Sequence, residues 1–396
     1  MTRITRAQIA LGLVAAAALV LAATAAARTQ ARTASPIVIG WAFDSKGAMA
    51  PFDGPALAAA QVRVKQINAR GGVGGRPLQI NTCDTQGNKP AIAKACATKL
   101  LGQGANIIFT TCDVDFAAPV VQESIDAGKL TVAPCIGTDQ MGPKRFGAKG
   151  RLAFSFGNVA QDEGSAMAEF AWKQGWKSAA LATNTLLVYF KNVVQAFDAR
   201  FTQLGGKVVA KESYATGANN VNAAVSRLNG KQADVIVTST AGSFGALPQI
   251  VSGLRTLGNN TAILNSWAGD GTYWLPKSPT ISNYYAVTYA SAFGDDPSAA
   301  VNALAKKVKA GTGGFVTGAA AIDGVVTAIK RAKGSTQGIA LAAQLEKFRR
   351  VPTLSGLVSF TPQLHTVFGR QYRVLRIQDS KPKIVGSVTA KVVPKI

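Results

Sequence analysis

A glycine-dense turn between a predicted helix and a predicted strand constrains the fold of this chain more than any other stretch. Residues 66–84 read Gln-Ile-Asn-Ala-Arg-Gly-Gly-Val-Gly-Gly-Arg-Pro-Leu-Gln-Ile-Asn-Thr-Cys-Asp. Apolar residues precede the turn at helical spacing, Gly71 and Gly72 end the helix, and Leu78 and Ile80 begin a strand. The stretch is therefore typical of the joint in a β-α-β unit.

Strand-like and helix-like segments alternate along the chain from Pro36, which predicts α/β layers around mainly parallel sheets. The predicted strands of the first half lie at 37–41, 78–83, 106–111 and 130–133. After a break at 151–157, further strands are predicted at 178–183, 207–212, 235–240, 263–265, 284–289, 356–360 and 372–377. Helices are predicted at 53–69, 90–103, 117–127, 161–174, 193–204, 221–228, 248–257, 299–309 and 318–331. The pattern predicts two Rossmann-like lobes.

The first 27 residues are typical of a signal peptide. Arg3 and Arg6 precede an alanine-rich apolar run without charge, and small residues follow at 25–27, where a signal peptidase cleaves. We expect cleavage near Ala27, and hence an extracytoplasmic protein in the periplasm or at the cell surface. A retained membrane anchor is the alternative, because the apolar run is near the lower length for spanning a bilayer. Roughly 370 residues remain after cleavage, a length that suits two domains.

The four cysteines all lie between residues 83 and 135, and an even number in an exported chain predicts two disulfides. Three connectivities are open. We favour Cys83 with Cys96 and Cys112 with Cys135, because the second pair would close the ends of neighbouring parallel strands. A metal site is the weaker interpretation, since no Cys-x-x-Cys pair occurs and the single histidine, His365, is distant in sequence.

The chain is strongly basic, with 43 Lys and Arg against 20 Asp and Glu, a formal net charge of +23. Such a charge suggests nucleic acid, but the basic residues are spread along the chain without an arginine-rich arm, a stacked aromatic-basic motif or a zinc module. A solvated basic surface explains this spread of basic residues better than nucleic-acid binding does. It could associate with anionic lipids or wall polymers, and binding to anionic vesicles should then weaken as salt is added.

Residues 67–78 match the pattern Ile-Asn-Ala-x-Gly-Gly-Val-x-Gly-Arg-Pro-Leu at all ten named positions. That pattern belongs to the leucine/isoleucine/valine-type periplasmic substrate-binding proteins, which bind branched-chain amino acids for ABC transporters. Similar strings occur at 83–86, 204–209 and 214–217, and the chain resembles this family over about residues 36–388. The resemblance implies the type I periplasmic-binding-protein fold, with three crossovers near 154–157, 286–289 and 354–357. Lobe 1 would hold 36–155 plus 289–355, and lobe 2 would hold 156–288 plus 356–396.

The resemblance also implies a ligand cleft between the lobes, beyond the carboxyl ends of the strands. Family members hold the ligand carboxylate with a serine that aligns with Asp113 and with a threonine and backbone N–H groups near Gly137 or Thr138. Their acid for the ligand ammonium aligns with Trp267, while Phe52 and Tyr189 match aromatic contacts. The expected ligand-binding residues are Trp41, Phe52, Asp113, Val114, Ile136, Gly137, Thr138, Tyr189, Ser243 and Trp267.

Both charge partners of the family thus differ here, and an aspartate beside a ligand carboxylate would repel it. A neutral polar or cationic small molecule is therefore favoured over a free branched-chain amino acid. Each aromatic residue has an alternative role in the core, and Asp115 or Asp139 can serve as a helix cap.

The sequence offers little for catalysis. It has no Gly-x-Ser-x-Gly elbow, phosphate-binding loop or dinucleotide fingerprint after a strand, and His365 falls in a predicted turn. We expect no enzyme and no cofactor. The resemblance implies a carrier that closes around a small polar or amino-acid-like solute and delivers it to an ABC permease. The alternative is a ligand-sensing module that signals to a membrane partner; a hydrolase ranks behind both.

Overall fold

The computed structural model describes residues 35–396, so the predicted signal peptide at 1–27 lies outside the described residues. Two sheets account for nearly all the strands. The first has the order β13-β5-β4-β3-β1-β2, and its neighbouring strands all pair in parallel. Its members are β1 (Ile37–Phe43), β2 (Leu78–Asp84), β3 (Ile107–Phe109), β4 (Leu130–Ala133), β5 (Ala153–Asn158) and β13 (Thr366–Val367).

The second sheet has the order β15-β14-β10-β9-β8-β6-β7; its strands from β10 to β7 pair in parallel, whereas β14 pairs antiparallel with both β10 and β15 at one edge. Its members are β6 (Ser178–Asn184), β7 (Lys207–Tyr214), β8 (Val235–Ser239), β9 (Ala262–Asn265), β10 (Tyr284–Thr288), β14 (Tyr372–Gln378) and β15 (Lys381–Val388). A small hairpin, β11 (Val351–Thr353) with β12 (Gly356–Val358), stands apart from both sheets.

Helices connect the strands and cover the sheets, as expected for parallel strands, which need crossover connections. Those that follow the strands of the first sheet are α1 (Ala50–Asn68), α2 (Pro90–Gly102), α3 (Val114–Asp126) and α4 (Pro143–Phe146). The remaining helices, in chain order, are α5 (Ala160–Lys173), α6 (Val188–Gln203), α7 (Ala218–Asn229), α8 (Ala246–Thr256), α9 (Ala299–Val308), α10 (Phe315–Arg331) and α11 (Gly338–Leu345). The predicted two-lobed α/β fold is confirmed. No helix in the described part of the chain has both the length and the apolar character needed to cross a bilayer.

The glycine-dense turn joins α1 to β2 as predicted. Gly71 and Gly72 have φ of 89° and 74°, a left-handed backbone that favours glycine. A Cβ on Gly72 would lie 2.1 Å from the carbonyl oxygen of Arg76, so the turn is too tight for any side chain there. The glycines of the matching pattern are therefore needed for the backbone conformation of this turn.

The chain passes between the sheets three times, after β5, after β10 and between β13 and β14. The prediction assigned residues 356–396 to lobe 2, but β13 pairs with β5 in the first sheet. Val358 and Phe360 also belong to the apolar core of the first lobe. That part of the predicted division was wrong, and the third crossover lies between Val367 and Tyr372. A two-residue strand is too short to show any periodicity in the sequence.

Both predicted disulfides are confirmed. Cys83 at the end of β2 is bonded to Cys96 on α2, with 5.5 Å between their Cα atoms. Cys112 is bonded to Cys135, with 4.8 Å between their Cα atoms. The second bond joins the segments that follow the neighbouring strands β3 and β4.

The second lobe depends on a close approach of α5 to α6 at Gly164. A Cβ there would lie 2.2 Å from the carbonyl oxygen of Val193 and 2.7 Å from the Cβ of Ala196. We predict that Gly164→Ala lowers the free energy of unfolding by roughly 2–3 kcal/mol, because an added methyl group must push two helices apart. Urea denaturation measures this change.

Gly102→Ala is the matched control, since Gly102 lies in α2 and an added Cβ would have no atom within 4 Å. There the better helix propensity of alanine should leave stability equal or raise it by up to ~1 kcal/mol. Equal effects of the two substitutions would contradict the predicted role of Gly164.

Candidate functional site

The strand orders place a candidate site where the two lobes face each other. In the first sheet β1 lies between β2 and β3, and in the second β6 lies between β7 and β8. The strand order reverses at β1 and at β6, which makes each the switch point of a doubly wound sheet. In such sheets ligands bind outside the carboxyl ends of the strands at the switch point. Segments after β1 and β3 carry Phe52 and Asp113, and the segment after β6 carries Tyr189. We call the region between these segments the interlobe cleft.

Aromatic side chains from both lobes meet in the interlobe cleft. The ring centroids of Phe52 and Trp267 are 5.0 Å apart and nearly perpendicular, and those of Tyr189 and Trp267 are 6.3 Å apart. Phe116 of the first lobe stacks on Phe244 of the second at 6.3 Å. Apart from Phe116 and Phe244, these rings are almost fully buried. The walls of the cleft are therefore aromatic and largely apolar.

Gly137 gives Tyr189 its place against the first lobe. A Cβ at Gly137 would lie 2.6 Å from a ring carbon of Tyr189, so a larger residue would displace that ring. The nearby disulfide Cys112–Cys135 fixes the two segments that carry Asp113 and Gly137 relative to each other. The structure thus brings together Phe52, Gly137, Tyr189 and Trp267 of the predicted set.

Asp113 caps a helix. Its side chain accepts a hydrogen bond of 2.9 Å from the backbone N–H of Asp115 at the start of α3. Burial, with the charge of Asp115 as a further cause, raises the pKa of Asp113 to about 7. The cap role expected for Asp115 or Asp139 thus falls to Asp113.

Other predicted residues lie outside the cleft walls or have structural partners. Trp41 is buried in the core of the first lobe, where it stacks on Phe109 with ring centroids 4.5 Å apart. Val114 and Ile136 belong to the same core. The hydroxyl of Thr138 accepts a hydrogen bond of 3.3 Å from the N–H of Gln140, whereas Ser243 has a buried hydroxyl without a partner. Their contact with a ligand stays a prediction.

A cluster of buried polar residues at the three crossovers was missed by the sequence analysis. We call it the hinge cluster: Asn158, Asp162, Glu163, Tyr289, Arg370 and Tyr372. The N–H of Asn158 donates to the hydroxyl of Tyr289 at 3.1 Å, and a carboxylate oxygen of Asp162 accepts from the N–H of Gly369. Tyr289 stacks on Tyr372 with centroids 5.8 Å apart. Every crossover thus contributes a group.

Glu163 connects the hinge cluster to the interlobe cleft. Its Oε1 accepts hydrogen bonds from the hydroxyl of Tyr189 at 2.9 Å and from the N–H of Trp267 at 2.7 Å. Burial raises the pKa of Glu163 to about 8. In the sequence it is an acid in the first turn of a predicted helix, which is common there, so no pattern marks it as functional.

Comparisons with known proteins agree with the two-lobed α/β fold described above. A family model described as periplasmic binding protein matches residues 36–382. The Leu/Ile/Val-binding protein BraC3 of Rhizobium johnstonii is 23% identical over 328 residues, which cover 79% of this chain and 86% of that protein. The branched-chain amino acid transporter substrate-binding protein LivJ of Streptococcus pneumoniae, solved with isoleucine, has a TM-score of 0.75 at 20% identity, covering 91% of this chain and 100% of that chain.

A solved structure with another type of ligand is nearly as similar. It is the solute-binding protein of an ABC transporter from Rhodopseudomonas palustris BisB5 in complex with 3,4-dihydroxybenzoic acid. Its TM-score is 0.73 at 17% identity, covering 91% of this chain and 99% of that chain. These similarities establish a shared fold.

The buried Glu163 should make stability depend on pH. The folded protein keeps the proton of Glu163 up to a pKa of about 8, whereas the ordinary value is 4.5. The folded state therefore binds more protons between these values, and the free energy of unfolding falls as pH rises from 5 to 8. We predict that Glu163→Gln, which is always neutral, reduces this fall by on the order of a few kcal/mol.

Urea denaturation at pH 5, 6, 7 and 8 measures the effect. Glu123→Gln, a change of a partly exposed acid on α3, is the control and should follow the wild-type profile. A Glu163→Gln profile parallel to the wild type would mean that Glu163 is ionised in the folded protein.

Proposed function

The chain belongs to the periplasmic binding protein family, and on this premise we propose that it is an extracytoplasmic solute-binding protein. It captures a small polar or amino-acid-like solute in the interlobe cleft and delivers it to an ABC permease in the membrane. It binds its solute without turnover. The observation that carries this proposal is the meeting of Phe52 with Trp267, at 5.0 Å, from opposite lobes.

Hinge closure is the mechanism that these contacts support. Phe52, Gly137 and the disulfide between Cys112 and Cys135 belong to the first lobe, whereas Tyr189 and Trp267 belong to the second. A solute between them gains its full set of contacts only when the lobes meet. Binding energy would therefore favour the closed form, which a permease can distinguish from the open one.

The cleft favours some classes of solute over others. Proteins of nearly equal structural similarity were solved with isoleucine and with 3,4-dihydroxybenzoic acid, so similarity does not select between an aliphatic and an aromatic solute. Three aromatic rings close together favour a solute with a flat or apolar body. The family resemblance aligns Asp113 of the first lobe with a serine of the family, so we expect that position not to favour an anionic group.

Two further properties support a location outside the cytoplasm. Both disulfides suit an oxidising compartment, and the N-terminal 27 residues are typical of a signal for export. The basic charge, which falls from +23 to +21 when Arg3 and Arg6 leave with the signal peptide, would in addition hold the protein near an anionic envelope.

Trp267→Ala tests whether the solute binds in the interlobe cleft. The mature protein is purified and denatured, and the released small molecules are identified by mass spectrometry. We predict that a solute released by the wild type is reduced at least about ten-fold in Trp267→Ala, because a buried ring that contacts Phe52, Tyr189 and Tyr289 is removed.

Trp172→Ala is the matched control, since Trp172 lies on α5 and contacts Lys177. This variant should release as much solute as the wild type. Equal amounts from all three proteins would place the solute site elsewhere, and turnover of the solute would revive an enzymatic function.

A further inference from the structure

The disulfide between Cys112 and Cys135 lies just beyond the carboxyl ends of β3 and β4. The ladder between these strands ends at Phe109 and Val132, and one further backbone hydrogen bond of 3.1 Å runs from the N–H of Thr110 to the carbonyl oxygen of Val132. Past that point the buried disulfide joins the two segments covalently. The bond therefore holds the segments together where the strand pairing has ended.

Each of the two joined segments contacts the start of α6 in the second lobe. Asp115, on the segment after β3, accepts a hydrogen bond of 3.3 Å from the N–H of Val188, the first residue of α6. On the segment after β4, a Cβ at Gly137 would lie 2.6 Å from a ring carbon of Tyr189, the next residue of α6. The separation of the joined segments thus determines how α6 fits against the first lobe.

The segment after β3 also contacts other groups near the cleft. The N–H of Cys112 donates to the buried carboxyl group of Asp53 on α1 at 2.9 Å. Phe116, in the first turn of α3, stacks on Phe244 of the second lobe. Both cysteines belong to the same apolar cluster as Trp267. A shift of this segment would therefore displace side chains that form the walls of the interlobe cleft.

The other disulfide has a different position but a similar covalent effect. Cys83 at the end of the edge strand β2 is bonded to Cys96 on α2, and both pack in a separate apolar cluster with Ala93, Ala97 and Leu100. The sequence separations of the two bonds are 13 and 23, so the chain-entropy model predicts similar contributions to stability. The bonds therefore form a matched pair, of which one lies beside the cleft.

We infer that Cys112 and Cys135 are positioning residues of the solute site, and that the chain binds its solute tightly only when they are joined. This inference rests on the proposed function and adds a condition to it. When the bond forms, the two thiols lose two protons and two electrons, and the electrons reduce one disulfide of a thiol oxidant to two thiols. Because the cytosol keeps thiols reduced, the chain gains its solute affinity only in an oxidising compartment.

Two double variants of the mature protein test this inference. Cys112→Ala/Cys135→Ala removes the bond beside the cleft, and Cys83→Ala/Cys96→Ala removes the other. Solute released on denaturation is quantified by mass spectrometry, and isoleucine and 3,4-dihydroxybenzoate are titrated as probes by isothermal calorimetry. The first variant should carry and bind at least about ten-fold less solute than the wild type, and the second should stay within about two-fold. Urea denaturation should show similar losses of stability in both.

A redox comparison within one chain applies if the first variant fails to fold. Cys83→Ala/Cys96→Ala keeps only Cys112 and Cys135 as cysteines, so its thiol content reports that bond alone. It is refolded from urea with dithiothreitol or with oxidised glutathione, and maleimide labelling counts the free thiols. The oxidised form should bind a probe at least about ten-fold more tightly than the reduced form.

The possible results have distinct meanings. Equal solute binding by the two double variants, or by the oxidised and reduced forms, would overturn the inference and leave the proposed function intact. A loss of binding in Cys83→Ala/Cys96→Ala as large as in the other variant is included, because the effect would then come from stability in general. A wild type that releases no solute and binds neither probe would overturn both proposals.

Discussion

The two lobes are held together by the packing of three chain crossovers around Tyr289. Its hydroxyl accepts the N–H of Asn158 at the end of β5, its ring stacks on Tyr372 from the third crossover, and it belongs to the second crossover itself. Arg370 lies over the same ring. Tyr289 thus contacts groups from the other two crossovers, at the point where the chain joins the two sheets.

Two further buried acids, Asp53 and Asp270, fix segments near the cleft. Asp53 accepts the backbone N–H groups of Asp44 and Cys112 and so fixes the segments after β1 and β3. Asp270 of the second lobe accepts the Thr288 hydroxyl and the N–H of Gly313, which precedes α10. Burial raises the pKa of Asp53 to about 7 and that of Asp270 to about 6. Buried carboxyl groups thus lie in both lobes and hold backbone N–H groups of the segments that follow the strands.

Local requirements made much of the fold predictable from the sequence. The turn at Gly72, the alternation of strands and helices, and the disulfide pairs depend on neighbouring residues or on short spacings. The strand β13, with two residues, and α11 had no pattern long enough to detect. Trp41 was interpreted as a cleft residue, yet a period of two places it on the same face as Ile37 and Ile39, which lie in the core.

The hinge cluster could not be predicted for a different reason. Asn158, Tyr289 and Arg370 are far apart in sequence and meet only because the chain crosses between the sheets three times. Each is ordinary in its local context, and only the completed fold removes water from all of them together. These residues are distinctive because segments far apart in sequence bury them together, and not because of their residue types.

The third crossover also governs the order in which the protein can fold. The strand Thr366–Val367 of the first sheet and the two antiparallel-paired strands of the second, within 372–388, are the final strands to be synthesised. Neither lobe is therefore a contiguous stretch of chain that could fold to completion ahead of the other. Contacts between residues more than 200 positions apart, such as Arg370 with Phe156, close last and slowly. Each lobe should therefore stay loosely structured until the C-terminal end of the chain is available to pair with it.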